Sequence, residues 1–192
     1  MDIIRHTRLY FLLHQISRLG GGYGGKEVQS KFVAAAAAFC AQQLKQPVRV
    51  ANYHVQDMHM IGKRHAFTGH FKLAATKKGE MKAMEVCFYC DSGHSYDATF
   101  PVMELALLSS DNAYYVPNFL AEGHCAITNK PSSTAFRAFG VIQTMMIVEA
   151  GVEALAEKLN IPEDQLREKN FYQQNQFTPY GQQLLYCNLQ GK

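Results

Sequence analysis

Gly20-Gly21-Gly22-Tyr23-Gly24-Gly25-Lys26-Glu27 places five glycines in six positions directly ahead of a long alanine-rich run. Glycines at that density let the chain take positive φ angles and bring backbone amides against a ligand. The following stretch, Lys26 to Gln46, reads as a helix whose unpaired first N–H groups and positive dipole end would point at the same place. Together they predict a cradle for an anion or a polar cofactor.

Three local readings of the loop compete. Gly20, Gly22 and Gly25 satisfy G-x-G-x-x-G, but that dinucleotide pattern needs a preceding strand and an acid about 20 residues on, and Lys45 to Tyr53 offers none. Gly20 to Lys26 also spells the first seven positions of G-x-x-x-x-G-K-[ST]. The eighth is Glu27, which has no hydroxyl for a nucleotide-bound Mg²⁺ and repels phosphate. A nucleotide-binding module is therefore a weak alternative, and a glycine-rich packing turn is the third.

Composition narrows the function classes. With 192 residues, 47% of them hydrophobic and 18% charged, the chain is of globular type. Its net charge of +3 is mild and its lysines and arginines are scattered, which argues against nucleic acid or a membrane surface as partner. No apolar run nears the roughly 18 residues a bilayer span requires. Met1 to Leu19 carries Arg5, Arg8 and Arg18 against Asp2 alone, a faint transit-peptide character, yet its apolar core Leu9–Leu13 is too short for a secretory signal and the stretch reads as structural. Five cysteines, Cys40, Cys87, Cys90, Cys125 and Cys187, are odd in number and widely spaced, as reduced, mostly buried thiols of a cytoplasmic protein would be. Cys87 and Cys90 match C-x-x-C, but in a strand positions three apart face opposite ways. The eight histidines form no helical H-x-x-x-H pair, so each reads as a surface or core residue.

Along the chain, Val28 to Leu44 reads as a helix ended by Pro47, and Val48 to Tyr53 as a strand. Val55 to Arg64 is ambiguous, with a short helix ending near Gly62 as one option. Phe67–Thr76 and Met81–Cys90 read as two strands joined by the turn Lys77-Lys78-Gly79-Glu80, an antiparallel hairpin. A short helix over Phe100–Leu108, a strand over Phe119–Thr128, a long helix over Phe139–Lys158 and a third helix opening at Pro162 follow. The glutamine-rich stretch beyond Phe171 has no clear period. With no internal repeat and no interdomain linker, the fold class is α+β, a mostly antiparallel sheet with packed helices.

A second block, Thr134-Ala135-Phe136-Arg137-Ala138-Phe139-Gly140 with Gln143 just after, changes the weight of the first. Read with Asp57-Met58, Gly62-x-Arg64-His65-x-Phe67 and Arg167-x-Lys169-Asn170, the set resembles the molybdopterin-binding domain of the xanthine dehydrogenase and aldehyde oxidase family. The resemblance covers residues 18–192 as part of that domain, leaving residues 1–17 as a divergent segment. It implies that Gly21, Gly22, Tyr23 and Gly24 meet the molybdenum-molybdopterin cofactor, with Tyr23, where most members carry Phe, and Arg137 near the metal but not as side-chain ligands. It further implies that Phe139 packs against a substrate ring, that Glu27 is a substrate-binding carboxylate, and that the two blocks face a common cavity. Acid in the first turn of a helix is the other reading of Glu27.

The departures bear on substrate. Purine-oxidising members carry an arginine where this chain has Leu105, and leucine cannot stabilise negative charge on a purine ring. That tips the expectation towards small aldehydes or uncharged heteroaromatic substrates, hydroxylated with water as oxygen source. The family's catalytic glutamate has no match here, so the resemblance assigns no catalytic residue to this chain, and FAD and 2Fe-2S clusters are expected on domains it does not include. The chain is thus expected to be part of a cytoplasmic molybdenum hydroxylase, inactive alone, from a truncated gene product or gene model. A non-catalytic paralogue that homodimerises or pairs with a full-length relative is the alternative.

Overall fold

A computed structural model describes residues 18–189; the reading of residues 1–17 as a divergent segment lies outside them. The chain divides after Ile61 into two compact units, a division that no Pro- or Gly-rich linker announces in the sequence.

The first unit holds the glycine turn and two helices, α1 (Ser30–Leu44) and α2 (His54–Met60). Alanine from Ala34 to Ala38 explains α1, but the helix starts later than expected. The Glu27 amide closes onto the Gly24 carbonyl at 3.0 Å and the Lys26 amide onto that of Gly22 at 3.2 Å, so residues 23–27 are a turn in their own right. Glu27 accordingly lies outside the helix's first turn, which carries no acid, and the dipole reading of Glu27 is not realised. The strand expected over Val48–Tyr53 is absent. Its alternation is real, but among the described residues this unit offers no strand to pair with, and unpaired strand backbone hydrogen-bonds water as well as anything else.

The second unit is a sheet with helices on one face. Its strands are β1 (Phe67–Ala75), β2 (Met81–Gly93) and β3 (Asn118–Ile127), in the order β1-β2-β3. β1 and β2 form the expected antiparallel hairpin, whereas β3 joins β2 in parallel. Of the two pairings one is parallel because α3 (Thr99–Leu108) carries the chain back between β2 and β3, as a parallel neighbour requires. On β2 the alternate residues Met84, Val86, Phe88 and Cys90 are buried. They meet Val148, Val152 and Leu155 of α4 (Val141–Leu159) and Leu166 of α5 (Glu163–Asn170), each large side chain contributing about 1.5–3 kcal/mol on burial. Two glycines let α4 approach β1: a Cβ on Gly69 would fall 2.5 Å from Ile147, and one on Gly151 would sit 3.0 Å from Phe71.

Polar ties close the ends of the sheet. Asp91 accepts from Lys130 Nζ and Thr128 Oγ1, both at 2.6 Å, and from the Gly93 amide at 3.0 Å; the lysine, helped by the other donors, holds its carboxyl down to about 2. Arg167 on α5 reaches Glu149, Glu163 and Glu153 at 2.9–3.2 Å, pinning that helix to α4. The cysteines depart from expectation in burial: Cys90 is buried, Cys40 is exposed and the other three lie between. Burial pushes the Cys90 thiol up to about 12, leaving it unreactive. Among the described residues no helix is long and apolar enough to cross a membrane.

Candidate functional site

The expected site residues fall into two groups. In the first unit, Gly21, Gly22, Tyr23, Gly24 and Glu27 share one turn. Gly21 takes φ 106°, Tyr23 φ 49° and Gly24 φ 80°, so the backbone is left-handed at three of four successive positions. Such a backbone, with Tyr23 and Gly24 both left-handed in succession, leaves the turn open to close approach by a ligand. A Cβ on Gly21 would lie 2.9 Å from the Tyr23 ring, which explains glycine there on space as well as angle. Tyr23 itself is 66% exposed.

The turn is tied down through Lys26. Its ammonium bonds the Asp57 carboxylate of α2, and Asn52 donates to the other carboxylate oxygen at 3.2 Å. Lys26, with Asn52 beside it, holds the Asp57 carboxyl below its ordinary range. In the sequence Lys26 figured only as the lysine of a failed phosphate motif. Its signal was Asp57, quoted in the resemblance without a role: the pair fixes the loop to the following helix.

In the second unit Arg137 and Phe139 sit on the tight turn that opens α4. The turn is left-handed at Ala138 (φ 54°) and at Gly140 (φ 78°). Gly140 lies hard against α3, where an added Cβ would be 2.2 Å from the Val102 carbonyl oxygen and 2.8 Å from the Ala106 amide nitrogen. This puts the corner beside the helical turn that carries half-buried Leu105.

The Gly62–Phe67 motif serves as the corner's scaffold. Lys63 accepts from the Thr134 amide at 2.8 Å, Arg64 Nη2 donates to the Arg137 carbonyl at 3.0 Å, and the His65 carbonyl accepts from Gln143 Nε2 at 3.2 Å. Gly62 has room for no side chain, since a Cβ would meet the Ser132 carbonyl and Thr134 at 2.9 Å. Arg64 also lies over the Phe136 ring, 5.8 Å from its centroid. His65 is the core histidine the sequence allowed for: 2% exposed and bonded through Nε2 to Thr99 Oγ1 at 2.8 Å. Burial lowers its pKa despite the opposing pull of Asp97.

Two features of this corner suit a polar ligand. The Arg137 side chain is exposed at the turn, and Gln143 Oε1 is buried without a hydrogen-bond partner among the described residues, an arrangement a protein rarely keeps without use. The third quoted motif belongs elsewhere: Arg167 joins helices and Asn170 holds the β1–β2 turn, so its role is architectural.

Comparison with known proteins agrees with these motifs. Residues 12–171 match the domain family described as the molybdopterin cofactor-binding domain. The chain is 40% identical over 172 residues to xanthine dehydrogenase of Oryza sativa subsp. japonica, covering 90% of this chain and 13% of that protein. It is 38% identical over 170 residues to xanthine dehydrogenase/oxidase of Gallus gallus, covering 88% of this chain and 12% of the relative. Among solved structures, the aldehyde oxidoreductase from Desulfovibrio gigas superposes with a TM-score of 0.76 at 31% identity, over 89% of this chain and 19% of that one. The chain thus spans about 13% of the length of the curated relatives it matches. On the domain match, the relatives and the shared fold, the chain belongs to the xanthine dehydrogenase and aldehyde oxidoreductase family of molybdenum hydroxylases, within their molybdopterin cofactor-binding domain.

Proposed function

We propose that residues 18–189 supply cofactor contacts to a molybdenum hydroxylase acting on small aldehydes or uncharged N-heterocycles, with water as the oxygen source, and that these residues do not turn over substrate by themselves. The observation that carries this reading is the exposed turn left-handed at Gly21, Tyr23 and Gly24, inside a chain of this family. Backbone amides in an open glycine turn suit the anionic and polar atoms of a molybdopterin. When bound, that cofactor supplies a redox-active metal centre able to accept the two electrons of a hydroxylation.

The residues divide the work. Gly21, Gly22 and Gly24 let the cofactor approach the backbone, and the Lys26–Asp57 tie keeps the turn from collapsing. Arg137 donates to polar cofactor groups from a turn whose carbonyl is already held by Arg64. Phe139 offers a flat face to a substrate ring. Glu27, exposed and outside any helix, accepts a hydrogen bond from the substrate. Leu105, half-buried on the α3 turn beside the Arg137–Phe139 corner, offers a substrate no positive charge. The chain's share of its relatives' length, about 13%, agrees with a requirement for further parts of the enzyme, and pairing with a second copy or a longer relative is one way to meet it.

Two measurements check this. Purified from a host that makes molybdopterin, the protein should carry molybdenum and pterin, and Gly24→Val should lower both about tenfold, equivalent to ~1.4 kcal/mol of binding. Equal metal and pterin in the variant, or none in the parent, defeats the cofactor assignment. For substrate, Leu105→Arg in an enzyme carrying the whole catalytic assembly should raise the purine-to-aldehyde turnover ratio by about tenfold or more, the scale of one donor to developing charge. An unchanged ratio removes Leu105 from any part in substrate choice.

A further inference from the structure

The sheet's other face, turned away from α3 and α4, carries chemistry that the cofactor reading does not use. Its outward positions bring Cys87 of β2 into register with Glu122 of β3, and Tyr89 with His124. One donor atom from each of Cys87, Glu122 and His124 lies within 4.8 Å of the other two. The His124 ring stacks on Tyr89 with centroids 4.8 Å apart and planes 19° from parallel, which fixes its orientation.

We propose that Cys87, Glu122 and His124 form a binding site for a divalent zinc ion, with solvent in the fourth position. Around a tetrahedral Zn²⁺ with bonds of about 2.0–2.3 Å, ligand atoms stand roughly 3.3–3.8 Å apart. The three donors need to close by only about 1 Å, within reach of rotamer adjustment for a half-buried cysteine and two exposed side chains. A thiolate, an imidazole and a carboxylate together select zinc or another borderline-soft ion over Mg²⁺ or Ca²⁺, which take oxygen. Charge balances as well, since thiolate and carboxylate neutralise the dication. Binding converts the Cys87 thiol to thiolate and releases its proton to water, while His124 coordinates as neutral imidazole.

The surroundings support the assignment. The neighbouring cation on this face, Lys72, is paired with Glu85 at 2.7 Å, so it does not compete for Glu122. Because the ligands come from both β2 and β3, a bound ion would clamp the parallel pair, which no tight turn joins.

None of these residues is assigned to the molybdopterin, so this site and the cofactor reading stand or fall separately. The test is a titration of the purified chain with Co²⁺, then Zn²⁺, under reducing conditions. We expect one equivalent of Co²⁺ to give a thiolate-to-metal charge-transfer band that Zn²⁺ displaces, and a rise in the thermal midpoint with Zn²⁺ that a chelator reverses. Cys87→Ser should abolish the band, and Glu122→Gln and His124→Ala should each weaken Zn²⁺ binding about tenfold, or ~1.4 kcal/mol, with unchanged circular dichroism. Cys40→Ser, which alters an exposed thiol in the other unit, should change nothing. A band that survives Cys87→Ser, equal zinc affinity in the Glu122 and His124 variants and the parent, or no saturable binding below about millimolar metal would each overturn the proposal.

Discussion

Replacing Gly140 by alanine should cost more than about 4 kcal/mol, the range reached only when a mutation breaks packing or backbone geometry outright. Gly140 combines φ 78° with ψ −46°, a conformation that side-chain-bearing residues rarely adopt. Angle alone would cost about 1–3 kcal/mol, but the added methyl would also stand 2.2 Å from the Val102 oxygen and 2.8 Å from the Ala106 nitrogen. Those are backbone atoms of a helix whose Val102 and Ala106 are fully buried, so no rotamer change relieves the clash. Either α4 moves off α3 or the corner carrying Arg137 and Phe139 unwinds. Urea unfolding should show the loss, and the thermal midpoint should fall by roughly 10 °C or more. Gly20→Ala is the control, because nothing lies within 4 Å of its Cβ and surface changes of that kind stay within about 0.5 kcal/mol. A Gly140→Ala protein as stable as that control would mean that the α3–α4 contact is not as described.

Gly140 also marks where sequence reading reached and where it stopped. The helices and strands of the second unit were legible because each has its own period or turn signal: an apolar stretch rich in methionine for α4, alternation for β2, Lys77–Glu80 for the hairpin. Beyond that hairpin, partners were not legible. Phe119–Thr128 reads as a strand from its own residues, but that it lies parallel to β2 depends on how α3 returns the chain. Val48–Tyr53 shows the reverse, because alternation without a neighbouring strand among the described residues gives no ladder. The α1 boundary moved because the turn at Gly24–Glu27 takes up amides that propensity would have assigned to a helix.

At the candidate site the quoted motifs were visible, but their duties were not. Arg64 and His65 belong to the motifs of the resemblance with no duty of their own, and one braces the Arg137 turn through a carbonyl while the other is the core histidine the sequence allowed for. The distance in sequence, 73 positions from Arg64 to Arg137, is what hides such a role. The same holds for Cys87, Glu122 and His124. Helical and C-x-x-C spacings lie within one segment, whereas these three meet only through the register of two strands.

Asn170 gives the second large effect, and it shows why a motif residue need not touch ligand. It is 6% exposed. Its Oδ1 accepts from the Met81 amide at 2.8 Å, while Nδ2 donates to the carbonyls of Gly79 at 2.8 Å and Leu166 at 2.7 Å. One side chain thus ties the end of α5 to both sides of the β1–β2 turn, 89 and 91 positions earlier. Asn170→Ala removes all three bonds and leaves the Met81 N–H, on a residue only 3% exposed, without this partner. At about 1–3 kcal/mol per buried group left unmade, the expected loss is about 3 kcal/mol, or roughly 6–12 °C in thermal midpoint. Asn170→Asp should be at least as damaging, because it keeps the acceptor for Met81 but sets carboxylate oxygen against two carbonyls in a buried place. Lys169→Ala, which removes an exposed bond to the Lys78 carbonyl, should cost no more than about 0.5 kcal/mol. Amide exchange at Met81 should quicken in both Asn170 variants and not in the lysine one. If Asn170→Ala unfolds at the parent's urea midpoint, the tie between α5 and the hairpin carries no stability, and its place in the quoted motif would need a ligand to explain it.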